Sequence, residues 1–361
     1  MAHPAGFRLR PYECPTRDFQ DWYTRGMETA RLRGVVAGAL LATLWLSSAC
    51  SQEPMRTLGP AVGDEFTLVV LPDTQSHIGD PKKAFRKQLQ WIVDHAETHR
   101  IAYVLHVGDI VDWNKPYEWR SVRKDFALLD QARLPYALAI GNHDMGKLGS
   151  ASNRTTLLNK YFELTDLRRR NMAPREVFEP GHLENGYYLF TAGGIDWMIL
   201  VLEFGPRDAV LAWANELCQR FSDRRIIVLT HAYQNKDGSR QDEGDRFNPR
   251  DKGMKKNTDS INDGARMWDQ LIRHHANIDL VLSGHVPGVS RARSRGDAGN
   301  VVHEIMANYQ DMEKETAVGW LRILRVVPRA RRIDVFTYGA ATEKFWRDDP
   351  QQFSVSLDTH E

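Results

Sequence analysis

Between Phe66 and Ile140 the chain alternates short apolar runs with amphipathic stretches, and that alternation leaves few folds open. Phe66 to Leu71 reads as a strand closed by Pro72, and Ala84 to Thr98 carries Phe85, Leu89, Ile92, Val93 and Ala96 at helical spacing. Ala102 to Val107 is a second strand, Glu118 to Gln131 a second helix, and Tyr136 to Ile140 a third strand. This order predicts parallel strands joined by right-handed crossovers, an α/β fold. From Ser150 to Pro180 the pattern loosens into a basic region in which Arg168, Arg169 and Arg170 read as a solvated face. Strands are then expected near Tyr187 to Thr191, Trp197 to Leu202 and Arg225 to Leu229, with a helix from Asp208 to Arg220. A long polar loop, Tyr233 to Asp263, precedes a helix from Ala265 to His275 and a strand from Ile278 to Leu282. Loops of that length inside a domain are often active-site walls. The ending is β-rich, with runs at Val301 to Ala307, Trp320 to Val327 and Ile333 to Tyr338.

What the strands end on matters as much as their order. Val104 to Trp113 is an apolar run that stops at Gly108 and delivers two carboxylates, Asp109 and Asp112. Alone, a Gly-Asp pair describes many strand-to-turn transitions. Four other apolar runs also end in metal-compatible side chains: Asp73 and Gln75; Asn142, His143 and Asp144; His231; and His285. Taken singly, Asn142 could be a turn residue and His231 a satisfied histidine; five such endings in order argue otherwise. Carboxylates suit hard cations and imidazoles suit Zn, Fe or Mn. Two cation sites sharing one carboxylate fit this set better than one overloaded site, and Asp109, on the central strand, is the candidate bridge. Paired cations about 3.5–4 Å apart hold both the attacking hydroxide and the leaving oxygen of an in-line phosphoryl displacement, so the pattern points to hydrolysis of a phosphate ester.

Asp73-x-Gln75, Gly108-Asp109-x-x-Asp112, Gly141-Asn142-His143-Asp144, His231 and Gly284-His285 together resemble the calcineurin-like metallophosphoesterase superfamily, over about Phe66 to Tyr338. The resemblance implies two packed mixed β-sheets flanked by helices in a four-layer α/β sandwich, with two divalent metal ions (Mn, Fe, Zn or Mg) at the strand C-termini. It implies that Asp73 binds the first metal, that Asp109 bridges, and that Asn142, His231 and His285 bind the second. His143 would contact the substrate phosphate and help protonate the leaving oxygen, with Asp112 orienting it. The chain departs from the pattern at Gln75, where the family usually has histidine, and at Pro287, where it often has a second one. Both changes fall on the first metal and predict an oxygen-rich, weaker site biased towards Mn²⁺ or Mg²⁺, with Gln75 either a ligand or a hydrogen-bonding neighbour of one. The protein-phosphatase branch has arginine where Trp113 stands, which disfavours a phosphoprotein substrate. His106, His182 and His303 read as structural or surface residues, His303 being the imidazole that could replace the missing one. The segment Ala307-Asn308-Tyr309-Gln310 with Gly319 to Arg322 also resembles a subset of bacterial members, without an assignable chemistry.

Ahead of this domain, Arg31 and Arg33 precede an apolar run from Val35 to Leu46, followed by Ser47, Ser48, Ala49 and Cys50. A dozen apolar residues suit a signal-peptide core better than a membrane span. The small residues before Cys50 resemble a bacterial lipoprotein processing site, which would place the protein outside the cytoplasm, in the cell envelope or periplasm, membrane-anchored through lipid on Cys50; a plain cleaved signal and an uncleaved anchor are the rival readings. Met27 would make a conventional start, in which case Cys14 falls outside the protein. The expected division is an N-terminal extension and signal over 1–50, a tether over 51–64, a catalytic domain over 65–340 and a tail over 341–361. With a net charge of +1 from 48 basic and 47 acidic residues, nothing favours nucleic acid as partner, and a small-molecule phosphate ester is the expected substrate. The competing reading is a non-catalytic or single-metal surface lipoprotein that keeps the fold as a binding module. The oligomeric state is left open.

Overall fold

The computed structural model describes residues 57–77, 84–310, 312 and 318–357. The signal-like run and Cys50 lie outside the described residues. The chain enters through β1 (Phe66–Leu71), α1 (Ala84–Asp94), β2 (Ile101–His106), α2 (Pro116–Ala132) and β3 (Tyr136–Leu138). β1, β2 and β3 pair in parallel, with Leu71 opposite His106 and His106 opposite Leu138. Two short helices, α3 (Leu158–Tyr161) and α4 (Leu164–Arg169), lie in the basic region. β4 (Glu176–Val177), β5 (Gly186–Ala192) and β6 (Ile195–Val201) then open a second sheet. It continues through α5 (Asp208–Arg220), β7 (Arg225–Leu229), α6 (Gly264–Gln270), β8 (Ile278–Ser283), β9 (Gly288–Arg295) and β10 (Val301–Asn308). The chain returns to the first sheet with β11 (Trp320–Val327), β12 (Arg332–Gly339), β13 (Lys344–Trp346) and β14 (Phe353–Ser356).

Each sheet has seven strands among the described residues, in the orders β13-β12-β11-β1-β2-β3, with β14 beside β12, and β4-β5-β6-β7-β8-β10-β9. Both are mixed, and their parallel centres are buried on both faces, which is why these strands read as continuous apolar runs. Leu68, Val70 and Leu105 interdigitate with Ile199, Val201, Leu229 and Leu282 between the sheets. Phe85, Leu89, Ile92, Val122 and Phe126 of α1 and α2 cover the outer face of the first sheet. Val210, Leu211, Leu217 and Met267 of α5 and α6 cover the outer face of the second. The result is the helix–sheet–sheet–helix sandwich expected from the sequence.

Several elements differ from the sequence reading. The first helix stops at Asp94 and its last turns close on Arg100, which takes a left-handed φ of +47° while Ile101 N–H donates to Ala96 O and Arg100 N–H to Glu97 O. β9 has no counterpart in that reading, because arginines alternate with small residues along this sheet-edge strand and hide it from a hydrophobicity pattern. The expected tail after 340 carries β13 and β14, both paired with β12. Each has four residues or fewer, too few for a period-two signal.

Candidate metal centre

Parallel strands deliver their following loops to one end of a sheet, and here two sheets do so at the same place. Asp73, Asp109 and Asn142 follow β1, β2 and β3; His231 and His285 follow β7 and β8; Asn308 ends β10. Backbone has to come very close for these loops to meet. A Cβ on Gly141 would fall on Asp109 Oδ1 and lie 2.6 Å from His231 Nε2, and one on Gly284 would fall on Asp73 Oδ1 and lie 2.7 Å from Val107 Cγ2. Asp109 (φ +50°) and His285 (φ +68°) both sit in the left-handed region, a strain of the kind that clusters at functional sites.

One ligand atom each from Asp109, His231 and His285 lies within 4.8 Å of the others, and all three residues are buried. His231 Nδ1 is 2.8 Å from Val107 O and His285 Nε2 is 2.8 Å from Phe247 O. A carbonyl only accepts, so each of these nitrogens carries the hydrogen, and the opposite nitrogen presents its lone pair to the centre when the ring is neutral. Those two atoms, His231 Nε2 and His285 Nδ1, face each other at 3.1 Å, with Asp109 Oδ2 3.2 Å from His231 Nε2. Two buried carbonyl oxygens, Gln75 Oε1 and Asn142 Oδ1, have no hydrogen-bond partner. Leaving such an oxygen unpaired costs about 1–3 kcal/mol. Converging lone pairs, buried carboxylates and the orphan Asn142 oxygen are a donor set for a divalent cation, so these residues fit the metals that the sequence implies.

Without a cation the cluster settles its own charge. Burial pushes the Asp73 carboxyl up to about 8, against the pull of His231 and with Asp109 adding to the rise. Burial also lowers His285 to about 3, helped by the neighbouring His231. Asp109 resists burial because His231, His143 and His285 hold it below the usual carboxylate range. His231 likewise overcomes burial and rises to about 9 beside Asp109 and Asp73. The cluster thus keeps one ion pair, Asp109 with a protonated His231, and suppresses other charge; a cation would have to take the place of the His231 proton.

Beside this centre stands His143, whose side chain is 36% exposed. Its backbone N–H donates to Asp109 Oδ1 at 2.9 Å, and its Nδ1 lies 2.8 Å from Asp112 O and 3.1 Å from Asp112 Oδ1. Burial opposes its charging, but Asp109 and Asp112 outweigh that and raise its pKa. Asp144 shapes the loops: its two oxygens accept from Val111 N–H and Gly141 N–H, both at 2.8 Å.

The structure brings Asp109, His231 and His285 together, with Asp73, Gln75 and Asn142 around them and His143 and Asp112 on the solvent side. Gln75 turns its Nε2 towards Asp109 Oδ2, at 3.1 Å, rather than its oxygen. His303 does not replace the missing imidazole; it bonds Ser356 O and lies five residues before the end of β10, roughly 17 Å along the strand from Asn308. His106 is buried against Thr74 Oγ1, and His182 is on the surface. The sequence reading does not include Asn308 in the centre. Its Nδ2 donates to Asp73 Oδ2 at 2.7 Å and to His285 O at 3.2 Å, while its Oδ1 accepts from Gln310 N–H at 2.9 Å. The available signal was the one that exposed Asn142, an amide closing an apolar run. The expected wall also materialises in part: Phe247, on the long loop, supplies the carbonyl that fixes His285, and Lys252 lies near enough to help lower the His285 pKa.

A family model described as calcineurin-like phosphoesterase matches residues 66–288. The chain is 27% identical over 315 residues to the uncharacterized protein YvnB of Bacillus subtilis (strain 168), covering 83% of this chain and 22% of YvnB. It therefore spans about a fifth of the length of that curated relative. Among solved structures it is similar to purple acid phosphatase PPD1 from yellow lupin (Lupinus luteus), with a TM-score of 0.49 and 14% identity, covering 82% of this chain and 55% of that one. It is also similar to the 5'-nucleotidase precursor from Thermus thermophilus, with a TM-score of 0.42 and 15% identity, covering 82% and 54%. A third likeness is to GAP50 of Plasmodium, with a TM-score of 0.47 and 11% identity, covering 83% and 90%.

Proposed function

The chain belongs to the calcineurin-like phosphoesterase family, and on that premise we propose that it hydrolyses the phosphate ester of a small molecule with the help of divalent cations held around Asp109. The observation that carries this reading is the meeting of Asp109 Oδ2, His231 Nε2 and His285 Nδ1, with both imidazoles locked by backbone carbonyls into the tautomer a cation needs. Asn142 Oδ1 would complete that site. Asp73, with Asp109 shared, would hold a second, oxygen-rich one. Bound there, cations would supply Lewis acidity and a water acidic enough to serve as nucleophile near neutral pH. His143 does the proton work. Its Nδ1–H is fixed on Asp112, so Nε2 is the atom that donates to the departing ester oxygen, and a raised pKa keeps that proton available. Asp109 also accepts the His143 backbone N–H, coupling the position of the acid to that of the cation ligands.

His143→Ala is expected to lower turnover of a model ester by about 10²–10⁴-fold while leaving bound metal in place, whereas Asp109→Asn removes both. Parent-rate hydrolysis by the His143 variant would end the assigned role. One observation favours a second reading, a single-metal site: Asp73 Oδ2 and Asp109 Oδ2 already accept from Asn308 and Gln75 amide nitrogens. Elemental analysis of the purified protein separates the readings, with two metals per chain supporting the first and one the second. The protein is further proposed to work outside the cytoplasm on a lipid carried by Cys50. Incorporation of a labelled fatty acid into the parent and into Cys50→Ala checks this, and equal labelling would refute it.

A further inference from the structure

Four large hydrophobic residues are exposed among the described residues, and three of them stand on or next to the segments that meet at Asp112 and the His143 backbone: Trp113 (46% exposed), Tyr117 (56%) and Leu148 (48%). The fourth, Val62, precedes β1 and so lies at the opposite end of the strand from the centre. Trp113 directly follows Asp112, and Tyr117, in the first turn of α2, lies close enough to Asp112 to feel its charge. Leu148 stands on a neighbouring loop bound to the same place. Asn114 Nδ2 donates to Gly146 O at 3.0 Å, and Gly149 packs so tightly on the Asp112 and His143 backbone that a Cβ there would lie 2.9 Å from His143 O. Leu148 is held at φ +57°, a strained conformation for leucine, and still points an apolar side chain to solvent. Two loops therefore present aromatic and aliphatic surface around Asp112, the residue that holds the His143 imidazole.

Resting on the phosphoesterase reading, we infer that Trp113, Tyr117 and Leu148 form the leaving-group subsite and select esters of aromatic alcohols, which stack on Trp113. Lys115 Nζ sits 5.2 Å from the Trp113 ring centre, steadying the indole by a cation–π contact. The reaction itself is ordinary hydrolysis: water adds to phosphorus, the ester P–O bond breaks, and the alcohol leaves with the proton from His143.

The test uses the full chain supplemented with Mn²⁺. Calorimetry compares binding of benzylphosphonate and ethylphosphonate, neither of which is hydrolysed. Turnover compares benzyl phosphate with 2-methoxyethyl phosphate, whose alcohols are of similar acidity. The parent is expected to favour the benzyl member of each pair by about tenfold, the scale of one aromatic stack plus its buried apolar area. Trp113→Ala should collapse both ratios to about twofold or less, Leu148→Ala should reduce them by about threefold, Trp113→Phe should restore most of the preference, and Val62→Ala should leave them at parent values. Equal binding of the two phosphonates by the parent, or a Trp113→Ala ratio unchanged from the parent, overturns the subsite. No turnover of either ester with the binding preference intact would instead overturn the hydrolase reading and leave the aromatic subsite standing.

Discussion

Asn308→Ala tests whether the end of β10 is part of the metal centre or only its backdrop. The substitution removes a 2.7 Å donation to Asp73 Oδ2, a 3.2 Å donation to His285 O and the 2.9 Å acceptance from Gln310 N–H. With the Asp73 carboxyl pushed up to about 8 in the metal-free protein, all three are neutral bonds near pH 7, each contributing about 0.5–1.5 kcal/mol. Asp73 keeps its bonds from His285 N–H at 3.1 and 3.3 Å, so the stability loss should total roughly 1–3 kcal/mol rather than the full sum. The metal effect is separate. Freed from its amide, Asp73 no longer presents a fixed oxygen, and losing such an orienting partner weakens metal binding by about 10–100-fold. Equilibrium dialysis against Mn²⁺ with elemental analysis reads the affinity, and urea unfolding in the presence of chelator reads the stability. Asn308→Asp, of the same size, sets a second carboxylate against Asp73 and should lower stability further in the chelated protein. If Asn308→Ala unfolds more easily yet binds Mn²⁺ with parent affinity and stoichiometry, the residue is a clasp on the sheet and has no part in the centre.

Gly141→Ala should abolish metal binding outright, since the new methyl occupies the space of Asp109 Oδ1 and crowds His231 Nε2; an alanine variant with parent metal content would refute the close approach described for these loops. Acid sensitivity should come partly from His99, whose Nδ1 accepts from Arg325 Nη2 at 3.0 Å. Burial, then Arg325 and His95, lower its pKa to about 4. Between its ordinary value and about 4, unfolding takes up a proton, so this contribution is complete above pH 6.5, falls as the pH drops towards 4 and levels off below. It amounts to roughly 2–3 kcal/mol, and His99→Gln should unfold in urea with that much less difference between pH 7 and pH 4.5. A parent-like pH dependence in the variant would show that His99 titrates normally.

Asp73, Asp109, Asn142, His231 and His285 were legible because each closes an apolar run, and parallel strands of a buried sheet put such closures at one end. Asn308 closes a run in the same manner but sits on a strand preceded by an antiparallel edge partner, and its partner Asp73 is more than two hundred residues away. Sequence patterns do not report that separation. The Phe247 and Val107 carbonyls that fix the imidazoles were illegible for a different reason: every residue carries a carbonyl, and only the fold decides which one is near. Gln75 was foreseen as a departure, though not that its amide nitrogen would turn to Asp109. β9 hid behind its arginines, and the exposure of Trp113 could not be told from the apolar run that leads to it.

The centre takes Asp73, Asp109 and Asn142 from one sheet and His231, His285 and Asn308 from the other, and His231 reaches across to a carbonyl of the first sheet. A cation gripped there is consequently a rivet through two plates. Its binding energy adds to whatever holds the halves face to face, so the molecule should stiffen and resist proteolysis in proportion to the free metal around it. Scarcity of metal would then be felt first as mechanical loosening at the joint, before any chemistry is asked of it.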